Sequence, residues 1–181
     1  MDEAELLEGC KRGKKEAFEA LYKLYSRPMY GVCYRYVGDD AARDVMHDGF
    51  LKVFSSIGQL RASDLPTFRT WITRIMVTTS LLYLRSQKAN FFLSIDDLKE
   101  EMQPIDEEEI GGIPTDILMK FIAELPLGYR TILNLSVFEG YSHKEIAKTT
   151  GINEHSSSSQ LHRAKCMLAK KIKEYLNQQS L

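Results

Sequence analysis

Residues 151–165 read GINEHSSSSQLHRAK, with four serines in a row at 156–159. Taken alone, a serine run has the composition of a flexible linker. Its neighbours argue otherwise. Downstream, Leu161, Ala164, Leu168 and Ile172 recur at spacings of three, four and four, which is one face of an α-helix. Upstream, Asn153 can cap such a helix, and Gly151 suits the end of a preceding one. That preceding segment reads YSHKEIAKTT over 141–150. Its Ser142 and Glu145 form an S-x-x-E capping box, in which hydroxyl and carboxylate satisfy free backbone amides. Ile146, Ala147 and Ile152 are expected to pack inward. A short capped helix, a glycine turn and a longer second helix make the helix-turn-helix pattern. The serine run then belongs to the first turns of the second helix. Serine has middling helix propensity, and a capped helix tolerates it.

The serines make chemical sense in that position. The first turns of a recognition helix enter the major groove, and short side chains let the helix come close. Hydroxyls exchange hydrogen bonds with phosphates and base edges. Ser156, Ser157 and Ser158 are read as facing DNA, with Gln160, His162, Arg163 and Lys165 adding reach. Ser142, His143 and Lys144, at the start of the shorter helix, join them as DNA contacts. Residues 141–173 hold 7 Lys and Arg against 2 Asp and Glu, a net charge of +5. A basic, solvated face on a packing helix is the plainer alternative.

The whole chain of 181 residues carries a net charge of -1, which on its face discourages binding to nucleic acid. The distribution reverses that impression. Residues 1–88 carry 14 basic and 11 acidic side chains, residues 89–118 carry 1 and 9, and residues 119–181 carry 9 and 5. Two basic parts therefore flank one acidic segment. The acidic segment includes Pro104, Gly111, Gly112 and Pro114 and has no sustained helical period, so it reads as a linker. The expected domains are 1–90, a linker over 91–114, and 115–181. No apolar run approaches a membrane span. The acidic start MDEAELLEGCKRG lacks the features of a signal peptide, so a cytoplasmic protein is expected, with no insertion into a membrane. Cys10, Cys33 and Cys166 are far apart in the sequence, and reduced, buried thiols are expected.

The first part reads as helices. Phe18, Leu21, Tyr22, Tyr25, Met29 and Cys33 share a face, and Pro28 should kink that helix or break it in two. Gly38, Asp39 and Asp40 supply a turn and a cap. The next helix buries Ala42, Val45, Met46, Phe50, Val53 and Phe54. Pro66 opens a third, which packs Phe68, Trp71, Ile72, Ile75 and Leu82. Thr115 caps the first helix after the linker, and Pro126 starts the next. Asp44, Asp48 and Lys52, with His47 beside them, line a polar face. His47-Asp48 also matches the His-Asp pair of some metal phosphohydrolases, but the other histidines form no ligand set with it. No phosphate loop or nucleophile motif is present. No catalysis, metal or cofactor is expected. Basic residues interleaved with aromatics in the third helix suit single-stranded DNA, although residues such as Phe68 and Trp71 are more often core than stacking platforms.

Together these stretches resemble the extracytoplasmic-function (ECF) class of RNA polymerase sigma factors, of the sigma-70 family. ARDVMHDGFLKVF and FRTWITRIMVTTSLLYLR resemble the helices of sigma region 2. LPLGYRTILNLSVFEGYSHKEIAKTTGI, with SQLHRAK, resembles region 4. The resemblance implies an all-α protein of two small helical domains. It implies a monomeric factor that binds core RNA polymerase and directs promoter-specific initiation. Asp44, His47, Asp48 and Lys52 would meet the clamp of the largest subunit, and residues 127–138 the flap. Arg61, Ser63, Asp64, Arg69, Arg74, Thr78, Arg85 and Lys88 would serve the opened -10 element. The serine-bearing helix would read the -35 duplex. An anti-sigma factor, often membrane-bound, would hold the protein inactive. The chain departs from the family at five places, one of them the tail RSQKA over 85–89, which is less basic than usual. His47 replaces a usual Gln, Thr78 and Leu82 replace an Asn and an Asp, and Ser158 replaces a common basic residue. A stand-alone helix-turn-helix regulator is the alternative, and it would need only the second domain.

Overall fold

The computed structural model describes residues 3–60, 68–87 and 113–179, and every described element is helical. These elements fall into two compact units, one within Met1–Lys88 and one within Ala89–Leu181.

The first unit is built on a short helix, α1 (Glu3–Lys11), and three long ones: α2 (Lys15–Val37), α3 (Asp39–Ser56) and α4 (Phe68–Ser86). Each of the long helices packs against the other two, and α1 lies on α2. Their apolar faces supply the core: Leu21, Met29 and Tyr36 from α2, Val45, Phe50 and Val53 from α3, Ile72 and Met76 from α4. Tyr25 meets Phe68 edge to face at 5.3 Å, the geometry that aromatic quadrupoles favour. Gly49 lets α3 and α4 approach closely, because a Cβ there would collide with the Met76 thioether.

Several local expectations change. Pro28 sits inside α2 without splitting it. Pro28 and Leu24 are both exposed, so the carbonyl deprived of its donor lies on the solvent side. Asp39 and Asp40 do not cap α3. Gly38, at φ 78°, separates the two helices, and Asp39 instead accepts a 2.6 Å bond from the Tyr30 hydroxyl. Leu82 is 49% exposed rather than packed. Phe18, Tyr22, Phe54, Trp71 and Ile75 are half-buried. Pro66 and the acidic segment up to residue 112 lie outside the described residues.

The second unit contains α5 (Thr115–Ala123), α6 (Leu127–Leu133), α7 (His143–Thr150) and α8 (Glu154–Gln179). Ile122, Leu125, Tyr129, Leu133 and Ala164 form its centre, with Leu118, Met119, Leu161, Met167 and Leu168 packed around them. Lys171 ties α8 to α5 through Glu124 at 2.7 Å. Thr115 is the first residue of α5 rather than its cap, a place taken by Pro114. Pro126 opens α6 as expected. A π-turn, Asn134–Phe138, follows directly on α6. It buries Asn134 and Leu135 and turns Val137 and Phe138 outward, 52% and 42% exposed.

All three cysteines are free and buried. Burial raises each thiol above its ordinary range, and Cys33, the deepest, is pushed up to about 11.

Candidate nucleic-acid interface

The serine run is helical. Asn153 opens α8 by accepting the Ser156 amide at 2.7 Å. Gly151, at φ 84°, ends α7 with its amide on the Ala147 carbonyl, a left-handed conformation that glycine adopts without a Cβ clash. The Ser142 capping box is complete. The Glu145 amide donates to the Ser142 hydroxyl at 3.3 Å, and the Ser142 amide donates to the Glu145 carboxylate at 2.9 Å. Ile146 is fully buried, while Ala147 and Ile152 are half-buried. α7 packs on α8 across the three-residue turn.

The helix sorts its four serines by direction. Ser158 is exposed, and so are His155, His162 and Lys165 at spacings of three, four and three, one face of α8. Ser156 and Arg163 lie seven residues apart on the flank, both half-buried. Ser159 folds its hydroxyl back to the Ser156 carbonyl at 3.3 Å. Ser157 differs from the sequence expectation. It is 0% exposed, and its hydroxyl lies 2.9 Å from Nδ1 of His143. Gln160 is also turned inward, at 8% exposure, and its Oε1 finds no partner among the described residues. Two of the residues read as facing DNA therefore face the protein. The 3.6-residue turn places them there, because Ser157 and Gln160 precede Ala164 by seven and four residues.

The remaining second-unit residues divide similarly. Lys144 is exposed at the start of α7. Ser142 is exposed but spends its hydroxyl on the cap, where it also donates to Glu145 Oε2 at 2.8 Å. His143 is half-buried against Ser157. His162 has Nε2 3.6 Å from the Cys166 sulfur. His155 is not among the residues that the sequence marks as facing DNA, although its place three residues before Ser158 is a signal for it.

In the first unit, Asp44, His47 and Asp48 are exposed together on α3. The Tyr22 hydroxyl from α2 fixes the His47 ring at Nε2, at 2.9 Å. Leu51, one turn further along, is 68% exposed and extends this face with an apolar contact that the sequence reading missed. Its signal was an apolar residue on the polar side of the helical period. Lys52 turns its ammonium to Thr79 of α4 at 3.1 Å. On α4, Arg74, Thr78 and Arg85 are exposed on one side, while Arg69 falls roughly opposite them on the helical wheel. The Thr78 hydroxyl donates to the Arg74 carbonyl at 2.8 Å, so its acceptor lone pairs and its methyl group are left to a ligand. Arg61, Ser63, Asp64 and Lys88 lie outside the described residues. No group of three or more His, Cys, Asp or Glu among the described residues could hold a metal ion.

Comparison with known proteins matches both units. Residues 21–90 match the family model of sigma-70 region 2, and residues 115–168 match that of sigma-70, region 4. The RNA polymerase sigma factor SigV of Bacillus subtilis is 30% identical over 141 residues, 77% of this chain and 81% of that one. The ECF RNA polymerase sigma-E factor of Haemophilus influenzae is 29% identical over 178 residues, 92% of this chain and 93% of that one. The RNA polymerase sigma-H factor of Pseudomonas aeruginosa is 28% identical over 190 residues, 96% and 95% of the two chains.

Proposed function

The chain belongs to the sigma-70 family of RNA polymerase sigma factors, in the extracytoplasmic-function class, and from that premise we propose how its parts share the work. It is an alternative sigma factor: it binds core RNA polymerase and promoter DNA, directs promoter-specific initiation and catalyses nothing itself. The region 2 match removes the stand-alone regulator, which has no use for the first unit.

Residues 1–90 bind the polymerase clamp and the -10 element, 91–114 link the domains, and 115–181 read the -35 duplex. Asp44, His47 and Asp48, with Leu51, meet the clamp. Arg74, Thr78 and Arg85 serve the opened -10 strand, Arg69 contacting it from another side. His155, Ser158, His162 and Lys165 enter the major groove, with Ser156, Arg163 and Lys144 beside them. Residues 127–138 dock on the flap through Val137 and Phe138. The protein works in the cytoplasm, where an anti-sigma factor, anchored in the membrane, holds it inactive.

One observation carries this division of labour. α8 presents four exposed residues on one face, none acidic, directly after a capped helix and a glycine turn. That is the geometry by which a recognition helix lies in a groove.

The test starts with the purified chain and core RNA polymerase from its own source. Association followed by fluorescence anisotropy should be tight, while the chain alone should bind promoter duplex weakly. Strong, sequence-specific duplex binding without polymerase would contradict the reading.

A further inference from the structure

Ser157 is a buried hydroxyl in the first turn of α8, and helical hydroxyls have a default partner. They bond back to the carbonyl one turn earlier, which weakens and bends the helix. Ser159 and Thr150 do this, to Ser156 and Ile146. Ser157 does not. Its hydroxyl crosses to the neighbouring helix and meets Nδ1 of His143 at 2.9 Å, fourteen residues away in sequence. A hydroxyl donates or accepts, so either tautomer of the imidazole makes the bond.

The location matters as much as the bond. His143 is the first residue of α7, and the turn at Gly151 lies at the other end. An eight-residue helix is about 12 Å long. The turn is thus a pivot, Ile146 is the buried residue of α7 between, and the His143–Ser157 bond is a bolt at the far end. On α8, the bolt sits between Ser156 and Ser158 and five residues before His162. A small rotation of α8 about its axis would carry those residues with it. From Leu161 onward the core holds α8 through Leu161, Ala164 and Leu168, but residues 154–160 are all polar, so over these first two turns the pair supplies a contact that no large apolar side chain supplies.

We propose that His143 and Ser157 are a positioning pair. They touch no base, but they set the angle at which α8 presents its outer residues, and so determine which -35 sequences are accepted. This rests on the reading of α8 as the -35 helix.

The experiment is run-off transcription with core RNA polymerase on promoters that share one -10 element and differ by single substitutions in the -35 element. The variants are His143→Ala, Ser157→Ala, the double variant, His143→Asn and His143→Gln. An asparagine amide reaches about as far as Nδ1, whereas a glutamine amide reaches toward Nε2. Each alanine variant should compress the preference for the best -35 sequence by about threefold to tenfold, the worth of one hydrogen bond. The double variant should add nothing further, since both singles break one bond. His143→Asn should restore the preference and His143→Gln should not. That pair decides the matter even where an alanine variant fails to fold. A merely structural role would lower the thermal midpoint and scale all promoters alike, leaving the order and ratios unchanged, and that result overturns the proposal. So does equal behaviour of the asparagine and glutamine variants. If wild-type transcription ignores the -35 sequence altogether, the reading of α8 falls and the pair falls with it. If wild type discriminates and every variant matches it, only the pair falls.

Discussion

α3 and the start of α8 both carry exposed residues for a partner, yet they are held in place by opposite means. α3 lays Val45, Met46, Phe50 and Val53 into the first core, and its polar side is whatever remains. α8 has no apolar residue from 154 to 160, and its inner side there is Ser157 and Gln160. One surface is defined by hydrophobic burial, which is strong and non-directional. The other is backed by a hydrogen bond, which is weaker and directional, and is tied to its core only from Leu161 onward. A polar residue on a reading helix is therefore not a reading residue by polarity alone. In α8 some polar side chains hold the helix and others are left to read.

The sharpest way to break this contrast is Phe50→Ala. Removing a fully buried phenylalanine should cost the first unit about 3–5 kcal/mol. Cys33 is buried within that unit and Cys166 within the other, so thiol labelling reports on each separately. Cys33 should label more than about a hundredfold faster, because each 1.4 kcal/mol is tenfold. The expectation for Cys166 is no change. If Cys166 follows Cys33, the two units unfold as one and the contrast collapses.

Asp48→Lys comes next. It reverses a charge on the exposed face of α3 without touching the core. Affinity for core polymerase should drop about tenfold, with helicity by circular dichroism intact. Unchanged affinity would move the polymerase contact elsewhere. Ser142→Ala removes the capping box and should destabilise the second unit by about 1 kcal/mol. Cys166 labelling should then rise about fivefold while Cys33 stays at its wild-type rate. Equal rates for wild type and variant would mean that α7 is held by its packing alone. The smallest effect belongs to Tyr129→Phe. The Tyr129 hydroxyl is fully buried with no hydrogen-bond partner among the described residues. Deleting it should leave the urea midpoint unchanged or raise it slightly. A loss above about 1 kcal/mol would mean that the hydroxyl is satisfied after all.

Much of this was legible in the sequence, for identifiable reasons. The helix-turn-helix boundaries came from capping chemistry, which is local: Ser142, Glu145, Gly151 and Asn153 all act within four residues of themselves. The apolar faces of α2 and α3 came from periodicity. What failed was direction at polar positions. Ser157 lies on the Ala164 side of α8, but hydrophobic pattern gives no sign when the inward residue is serine. Leu82 failed in the opposite sense, as an apolar residue that faces out. Pro28 did not break its helix in two, because proline's cost depends on whether the abandoned carbonyl can be hydrated, and that depends on which side of the helix it faces. The -10 contacts at Arg61, Ser63, Asp64 and Lys88 rest on resemblance alone.

The π-turn after α6 has a consequence for length. A π-turn spends one residue more per turn than an α-helix does. Here the Glu139 amide reaches back five residues to Asn134, and the Tyr141 amide six residues to Leu135. The segment therefore stores one residue of slack between the core of the second unit and the Ser142 cap. Deleting one residue within 134–138 would let the turn relax to ordinary α-helix while α7 keeps its cap. The same deletion inside α8 would rotate everything after it by about 100° and turn the outward row of side chains away. A one-residue deletion should therefore be tolerated far better at 134–138 than within the first turns of α8.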